Sequence, residues 1–281
     1  MRHGSASRTA LGAAAHRAVH QIVDRPRIFE DALAVPILGD DGAELLKERL
    51  AEPSRFSGLR ALIAVRSRIA GDALEAGMAR GVRQYVVLGA GLDTSAYRRP
   101  ALADGLQIFE VDHPATQEWK RGRLAAAGIA ADRSPIYVPV DFERTELGTA
   151  LDAAGLRFDA PAIFAWLGVL PYLERPAIRS TLTLIGEAPG KMEIILDYAE
   201  PPSTLSEARR AAFDRVSQRV AAIGEPWRSF FTQAEMEAEL RGAGFVGIED
   251  LDAPALSARY CADRDDGLAV SPPARVLLAW N

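Results

Sequence analysis

The stretch VVLGAGLDTSAYR, Val86 to Arg98, passes from an apolar burst straight into two glycines and an aspartate. A strand that ends at a Gly-x-Gly turn reads as the opening of a doubly wound α/β sheet, in which ligands sit beyond the carboxyl ends of the strands. Gly89 and Gly91 lack a Cβ and so let the backbone approach a ligand closely. Thr94 holds the place of the third glycine of a dinucleotide fingerprint. Tight helix packing over a pyrophosphate is therefore not specified, which counts against a nicotinamide or flavin dinucleotide.

Outward from this turn, short apolar bursts alternate with helical segments. Residues 85–89, 106–112, 135–141, 162–168 and 192–198 read as parallel strands, apolar on both faces because helices cover both. Segments 118–128 and 174–188 carry apolar residues at helical spacing, which completes the β-α alternation of a parallel sheet. After Tyr198 an amphipathic helix is expected over 205–224. Thr232 and Glu235 predict a capping box that opens a helix over 232–245, and Gly242 and Gly244 supply its stop. FVGIEDL (245–251) follows, and ARVLLAW (274–280) reads as a last strand. The first 80 residues are helical, alanine-rich and without a clear strand. One domain over 1–281 is expected, with a helical cap (1–82) and an α/β core (83–281) that carries a helical insertion near 199–232.

The totals narrow the function. The net charge is -5 with no local basic cluster, so neither nucleic acid nor anionic lipid is an expected partner. A single cysteine, Cys261, rules out an intramolecular disulfide and a cysteine-rich zinc site, and a cytoplasmic location is the expectation. The N-terminal apolar stretch ALGAAA is broken by His16 and Arg17 before a signal-peptide core forms. No apolar run approaches the ~18 residues of a membrane span.

Two further strand ends carry acidic residues. FEVDHP offers Glu110 and Asp112, and a carboxylate there can accept both hydroxyls of a ribose. VDFER offers Asp141, which could accept from an adenine amine, and Phe142, which could cover the ring. Each aspartate alone could equally be a helix cap or turn residue. Together with the glycine turn they favour a nucleoside without a phosphate tail, and S-adenosyl-L-methionine explains the pattern best. A cofactor-binding protein without catalysis and a nicotinamide-dependent oxidoreductase remain as alternatives.

The segments VRSRIAGDAL, RQYVVLGAGLDTSAYR, FEVDHPATQEWKR, VPVDFE, WLGVLPYL and IILDYAEPP resemble the leucine carboxyl methyltransferase family, over most of the chain from about Ser7. The resemblance implies a Rossmann-like class I methyltransferase fold, a seven-stranded, mostly parallel sheet with helices on both faces and a helical N-terminal cap. It implies S-adenosyl-L-methionine as cofactor, with Arg66 on the methionine carboxylate and Gly89, Gly91 and Asp93 of the glycine turn beside it. Asp112 then serves the ribose, and Asp141 with Phe142 the adenine. Phe142 stands where the family usually has leucine. Leu167 departs further: carboxyl methyltransferases of proteins tend to have glutamate at that place, five residues before Tyr172. An acidic contact to cofactor or substrate is missing there, so a protein C-terminal leucine is the weaker expectation for the acceptor.

Methyl transfer from a sulfonium is an in-line displacement, and orienting two reactants can supply roughly 7–11 kcal/mol. A carboxylate acceptor is ionised at pH 7 and needs no general base. A hydroxyl acceptor wants one, and the histidines are only His3, His16, His20 and His113. His113 reads as a turn residue with Pro114, and His16 with His20, one helical turn apart, lacks a third ligand, so no metal is expected. No catalytic residue is assigned. For the acceptor, Trp227 and Arg228 of GEPWRSFF, with Tyr172 and Tyr198, are the candidates, since an arginine among aromatics can anchor a carboxylate beside an apolar body. Phe230 and Phe231 read as core. The expected activity is O-methylation of a small-molecule carboxylate, such as a secondary metabolite.

Overall fold

A computed structural model describes residues 7–98, 105–130 and 135–281; His3 lies outside them. Seven strands, β1 (Gln84–Leu88), β2 (Gln107–Asp112), β3 (Ile136–Pro139), β4 (Ala162–Trp166), β5 (Met192–Ala199), β6 (Gly247–Asp252) and β7 (Ala274–Trp280), form one sheet in the order β3-β2-β1-β4-β5-β7-β6. The first five pair in parallel, and β7 runs antiparallel to both β5 and β6. Each stretch expected to be a strand is one. The chain order reverses between β1 and β4, which opens a crevice at their carboxyl ends.

β1 and β4 are buried at every position, and alternate side chains enter two cores. Val86, Leu88, Phe109, Phe164 and Trp166 pack with α6 (Leu147–Ala153), α7 (Arg175–Gly186) and α9 (Gln233–Gly242). Tyr85, Val87, Ile163 and Ala165 pack on the opposite face with α3 (Ser57–Ala79) and α10 (Ala253–Tyr260). The short α4 (Ser95–Arg98) and α5 (Pro114–Ala126) complete the β1-β2-β3 connections.

The cap is α1 (Arg8–Val23), α2 (Gly39–Ala51) and the start of α3. Ala14, Ala15 and Ala18 are fully buried against Ile37, Leu38, Leu92 and Leu124, so the alanine-rich face lets α1 lie close on the turn that follows β1. A polar hub fixes the far end of α1. Asp24 accepts from Arg60 Nε (2.8 Å) and Nη2 (3.0 Å) and from His20 Nδ1 (2.7 Å). His20 Nε2 accepts from the Ile28 N–H (3.0 Å), which requires the proton on Nδ1. Both nitrogens are spent, so His20 offers nothing to a metal; among the described residues no group of His, Cys, Asp or Glu could hold one. Nor is any described helix long and apolar enough to cross a membrane.

α8 (Glu207–Ala222) departs from a standard amphipathic helix: none of its residues is buried. Its apolar positions, Ala212, Phe213, Val216 and Val220, line a cavity instead of joining the core. The capping box forms as expected at α9, with the Thr232 N–H donating to Glu235 (2.8 Å) and the Glu235 N–H to Thr232 Oγ1 (3.2 Å). The helix ends at Gly242, and Gly244 turns the chain at φ +98°.

Candidate cofactor and acceptor site

A cavity of about 1220 Å³ opens above the carboxyl ends of the parallel strands, with α1, α3 and α8 around it. Its floor is the glycine turn. Gly89 and Gly91 sit at φ +67° and +47°, where L side chains are strained. A Cβ on Gly89 would also lie 2.3 Å from Val169 Cγ2. The backbone is pinned by Gly89 and Ala90 N–H groups donating to Val111 O (2.8 and 3.0 Å).

Asp112 faces this turn, accepting from the Gly91 N–H and, at 2.6 Å, from the His113 N–H. Burial raises its carboxyl above the usual range, while the two N–H donors pull the other way. Asp93 accepts from the Ser95 N–H (2.7 Å) and lines the cavity. Burial alone would raise it, but Arg98, Lys120, Arg17 and the Ser95 hydroxyl hold it below the ordinary carboxylate value. Asp141 and Phe142 line the wall after β3, with the Phe142 ring stacked on Trp166 at 6.3 Å.

Arg66 comes up from α3 and donates from Nη1 to Asp197 Oδ2 (2.7 Å). The other Asp197 oxygen accepts from the Gly168 N–H. Gly168 sits at φ +74°, where an L side chain is strained, and its missing Cβ leaves room for Arg66 Nη2. Leu167 lines the cavity beside this pair. Sequence reasoning missed Asp197, which lies two residues before the end of β5; an acid near the carboxyl end of an apolar strand was the available signal.

Three of the candidate side chains already have protein partners. Glu110 does not line the cavity: its carboxylate is fully buried and accepts from Lys120 Nζ (2.7 Å). Strand alternation puts Glu110 and Asp112 on the same face of β2, so depth separates them: Asp112 ends the strand at the crevice, and Glu110 lies two residues further down. Tyr198 is 3% exposed and among the cavity-lining residues, and its hydroxyl donates to Asp250 Oδ2 on β6 (2.5 Å). Arg228 reaches the rim of the cavity, but Glu143 (2.9 Å) and Glu174 (3.1 Å) already meet its charge. Tyr172 and Trp227 do line the cavity, with the Tyr172 hydroxyl held by Trp227 and Thr9. Phe231 is core, as expected, whereas Phe230 lines the cavity.

Other residues of the site carry no local sequence signal. Glu225 accepts from the Arg8 N–H (2.9 Å), the Thr9 N–H (3.1 Å) and Ser7 Oγ (3.2 Å), which fastens the start of α1 across more than 200 residues of chain. His16 lines the cavity, 5.8 Å edge-on to the Phe56 ring. Burial, with the guanidiniums of Arg49, Arg60 and Arg66, lowers it to about 3, so it is neutral at pH 7. His113 Nδ1 accepts from the Ala115 N–H (3.2 Å) and caps α5.

Comparison with known proteins agrees with this geometry. The leucine carboxyl methyltransferase family model matches residues 10–186. YktD of Bacillus subtilis (strain 168), named as a candidate S-adenosyl-L-methionine-dependent methyltransferase, is 30% identical over 96% of each chain. A similarly named protein of Mycolicibacterium paratuberculosis is 30% identical over 91% of this chain and 87% of its own. Among solved structures, a DUF574 family protein from Streptomyces avermitilis shares the fold, with a TM-score of 0.58 at 16% identity over 98% and 97% of the two chains. The chain belongs to the leucine carboxyl methyltransferase family.

Proposed function

We propose that this chain is an S-adenosyl-L-methionine-dependent O-methyltransferase whose acceptor is the carboxylate of a small molecule. Family membership and the names of the relatives support the donor. The residues fit it. The Gly89 turn leaves a cradle that a Cβ would fill. Asp112 would take the ribose hydroxyls, and Asp141 with Phe142 the adenine. Arg66 uses only Nη1 on Asp197, which leaves guanidinium N–H groups for a methionine carboxylate. Asp197 would complement the ammonium.

When bound, S-adenosyl-L-methionine supplies an electrophilic methyl group on a sulfonium. The chain's part is to hold the acceptor in line and keep water out. α1, fastened by Glu225, and the apolar face of α8 cover the cavity and perform the exclusion.

The observation that carries the carboxylate reading is the weakness of the available bases. His16 is too acidic as an imidazolium to accept a proton efficiently at pH 7, and His113 Nδ1 is committed to Ala115. An acceptor that arrives ionised needs neither. The test is incubation of the purified protein with S-adenosyl-L-methionine and matched carboxylic acids, alcohols and leucine-terminated peptides, with mass spectrometry of the products. Methyl esters of small acids are expected; ethers alone, or peptide esters alone, would overturn the reading.

A further inference from the structure

The acceptor chamber holds cations that form no ion pair among the described residues. Arg66, Arg17 and Arg228 all have carboxylate partners: Asp197 at 2.7 Å, Asp31 at 3.5 Å, and Glu143 with Glu174. Arg49 of α2 and Arg219 of α8 also line the cavity, and neither forms an ion pair or side-chain hydrogen bond among the described residues. Arg49 Nε is buried with no hydrogen-bond partner. Its guanidinium lies 4.3 Å from the centre of the Phe56 ring, which orients it from one side.

The two arginines also repel each other. Arg49 is held below the ordinary arginine value, first by burial and then by Arg219 and Arg55; Glu48 beside it offsets only part of this. A protein has little reason to bring two unpaired guanidiniums from separate helices to one cavity wall unless an anion visits there. Around them are Leu45, Phe56, Phe213 and Val216, an apolar surface for the rest of such a molecule. His16, neutral and edge-on to Phe56, adds a hydrogen-bonding group without adding charge.

We propose that Arg49 and Arg219 form an anion subsite between α2 and α8 that selects acceptors as organic acids with an apolar body. This rests on the small-acid reading above and adds the residues that enforce it. Methylation of the recognised carboxylate would remove its charge, so the ester would leave more readily than the acid binds.

The test uses the full chain saturated with S-adenosylhomocysteine, into which octanoate and octan-1-ol are titrated calorimetrically. Octanoate should bind at least tenfold tighter than the alcohol. Arg49→Gln with Arg219→Gln should remove that preference while leaving octanol binding unchanged, and the paired lysine variants should keep most of it. A wild-type chain that binds both equally, or a glutamine variant that still prefers the acid, would overturn the proposal. Both acceptor titrations are repeated with the free chain, and S-adenosylhomocysteine is titrated separately into the wild type: absence of heat there refutes the donor assignment alone, because the acid preference is still read with the free chain.

Discussion

Arg66 of α3 and Asp197 of β5 meet at 2.7 Å, one strand away from the β1–β4 boundary where the sheet order reverses. The pair joins the cap-proximal helix to a central strand, and its remaining donors face the cavity. Arg66→Ala should therefore weaken S-adenosylhomocysteine by about 10- to 100-fold, the worth of charge-assisted hydrogen bonds of ~1.5–3 kcal/mol. Arg66→Lys should recover part of it, since a point charge replaces a planar fork. Calorimetric titration of the three chains checks this; equal affinities would remove Arg66 from the site.

Gly89→Ala tests the floor of the cavity. The methyl group would lie 2.3 Å from Val169 Cγ2, at a φ of +67°. Val169→Ala relieves the first cost but not the second, which is of order 1 kcal/mol or more. The single variant should lose measurable S-adenosylhomocysteine binding, and the double variant should regain only part. Full recovery in the double variant would mean that the backbone conformation is not what matters.

What the sequence made legible follows strand periodicity. Six of the seven strands, the glycine turn and Asp112 could be read because their signals are local, lying within a few residues of one another. Asp197 was readable in principle, being an acid near the carboxyl end of an apolar strand, with Tyr198 next to it also lining the cavity. Arg228 looked free because Glu143 and Glu174 are more than 50 positions away. Glu225 and the beginning of α1 were beyond reach for the same reason, as was the unpaired state of Arg49. Ion pairing is decided by folding, not by neighbouring letters.

Glu225 should act as the fastener of the cap. Its carboxylate accepts two backbone N–H bonds at the start of α1, where the helix dipole also favours negative charge. Glu225→Gln keeps the shape and removes the charge, at an expected cost of about 1–2 kcal/mol in local stability. Amide exchange at the first turn of α1 should speed up by roughly tenfold, and the acceptor KM should rise more than kcat falls. Unchanged exchange over residues 8–12 would show that the cap is fixed elsewhere.

The hub at Asp24 carries a different weight. Removing its charge leaves Arg60, itself buried, without its bidentate partner, and breaking one side of a buried pair costs about 3–5 kcal/mol. Asp24→Asn should lower the urea midpoint sharply. Asp24→Asn with Arg60→Met should be milder than the single change, because no uncompensated charge remains. A double variant as unstable as the sum of its parts would contradict the coupling.

His16 gives the fold an acid sensitivity that can be isolated. In the unfolded chain its imidazole takes a proton near pH 6.5, whereas in the folded chain burial and the guanidiniums of Arg49, Arg60 and Arg66 postpone this to about pH 3. Between those values the unfolded state binds more protons, so stability falls as the pH falls. The slope is about 1.4 kcal/mol per unit, or ~2 kcal/mol between pH 6.5 and pH 5. His16→Gln has nothing to titrate and should lose less by that amount over the same interval, while other groups cancel in the comparison. Urea denaturation of both chains at pH 7 and pH 5 reads the difference. Parallel losses in the two chains would mean that position 16 takes up its proton as easily folded as unfolded, and that the cavity wall around it is wetter and less cationic than its neighbours imply.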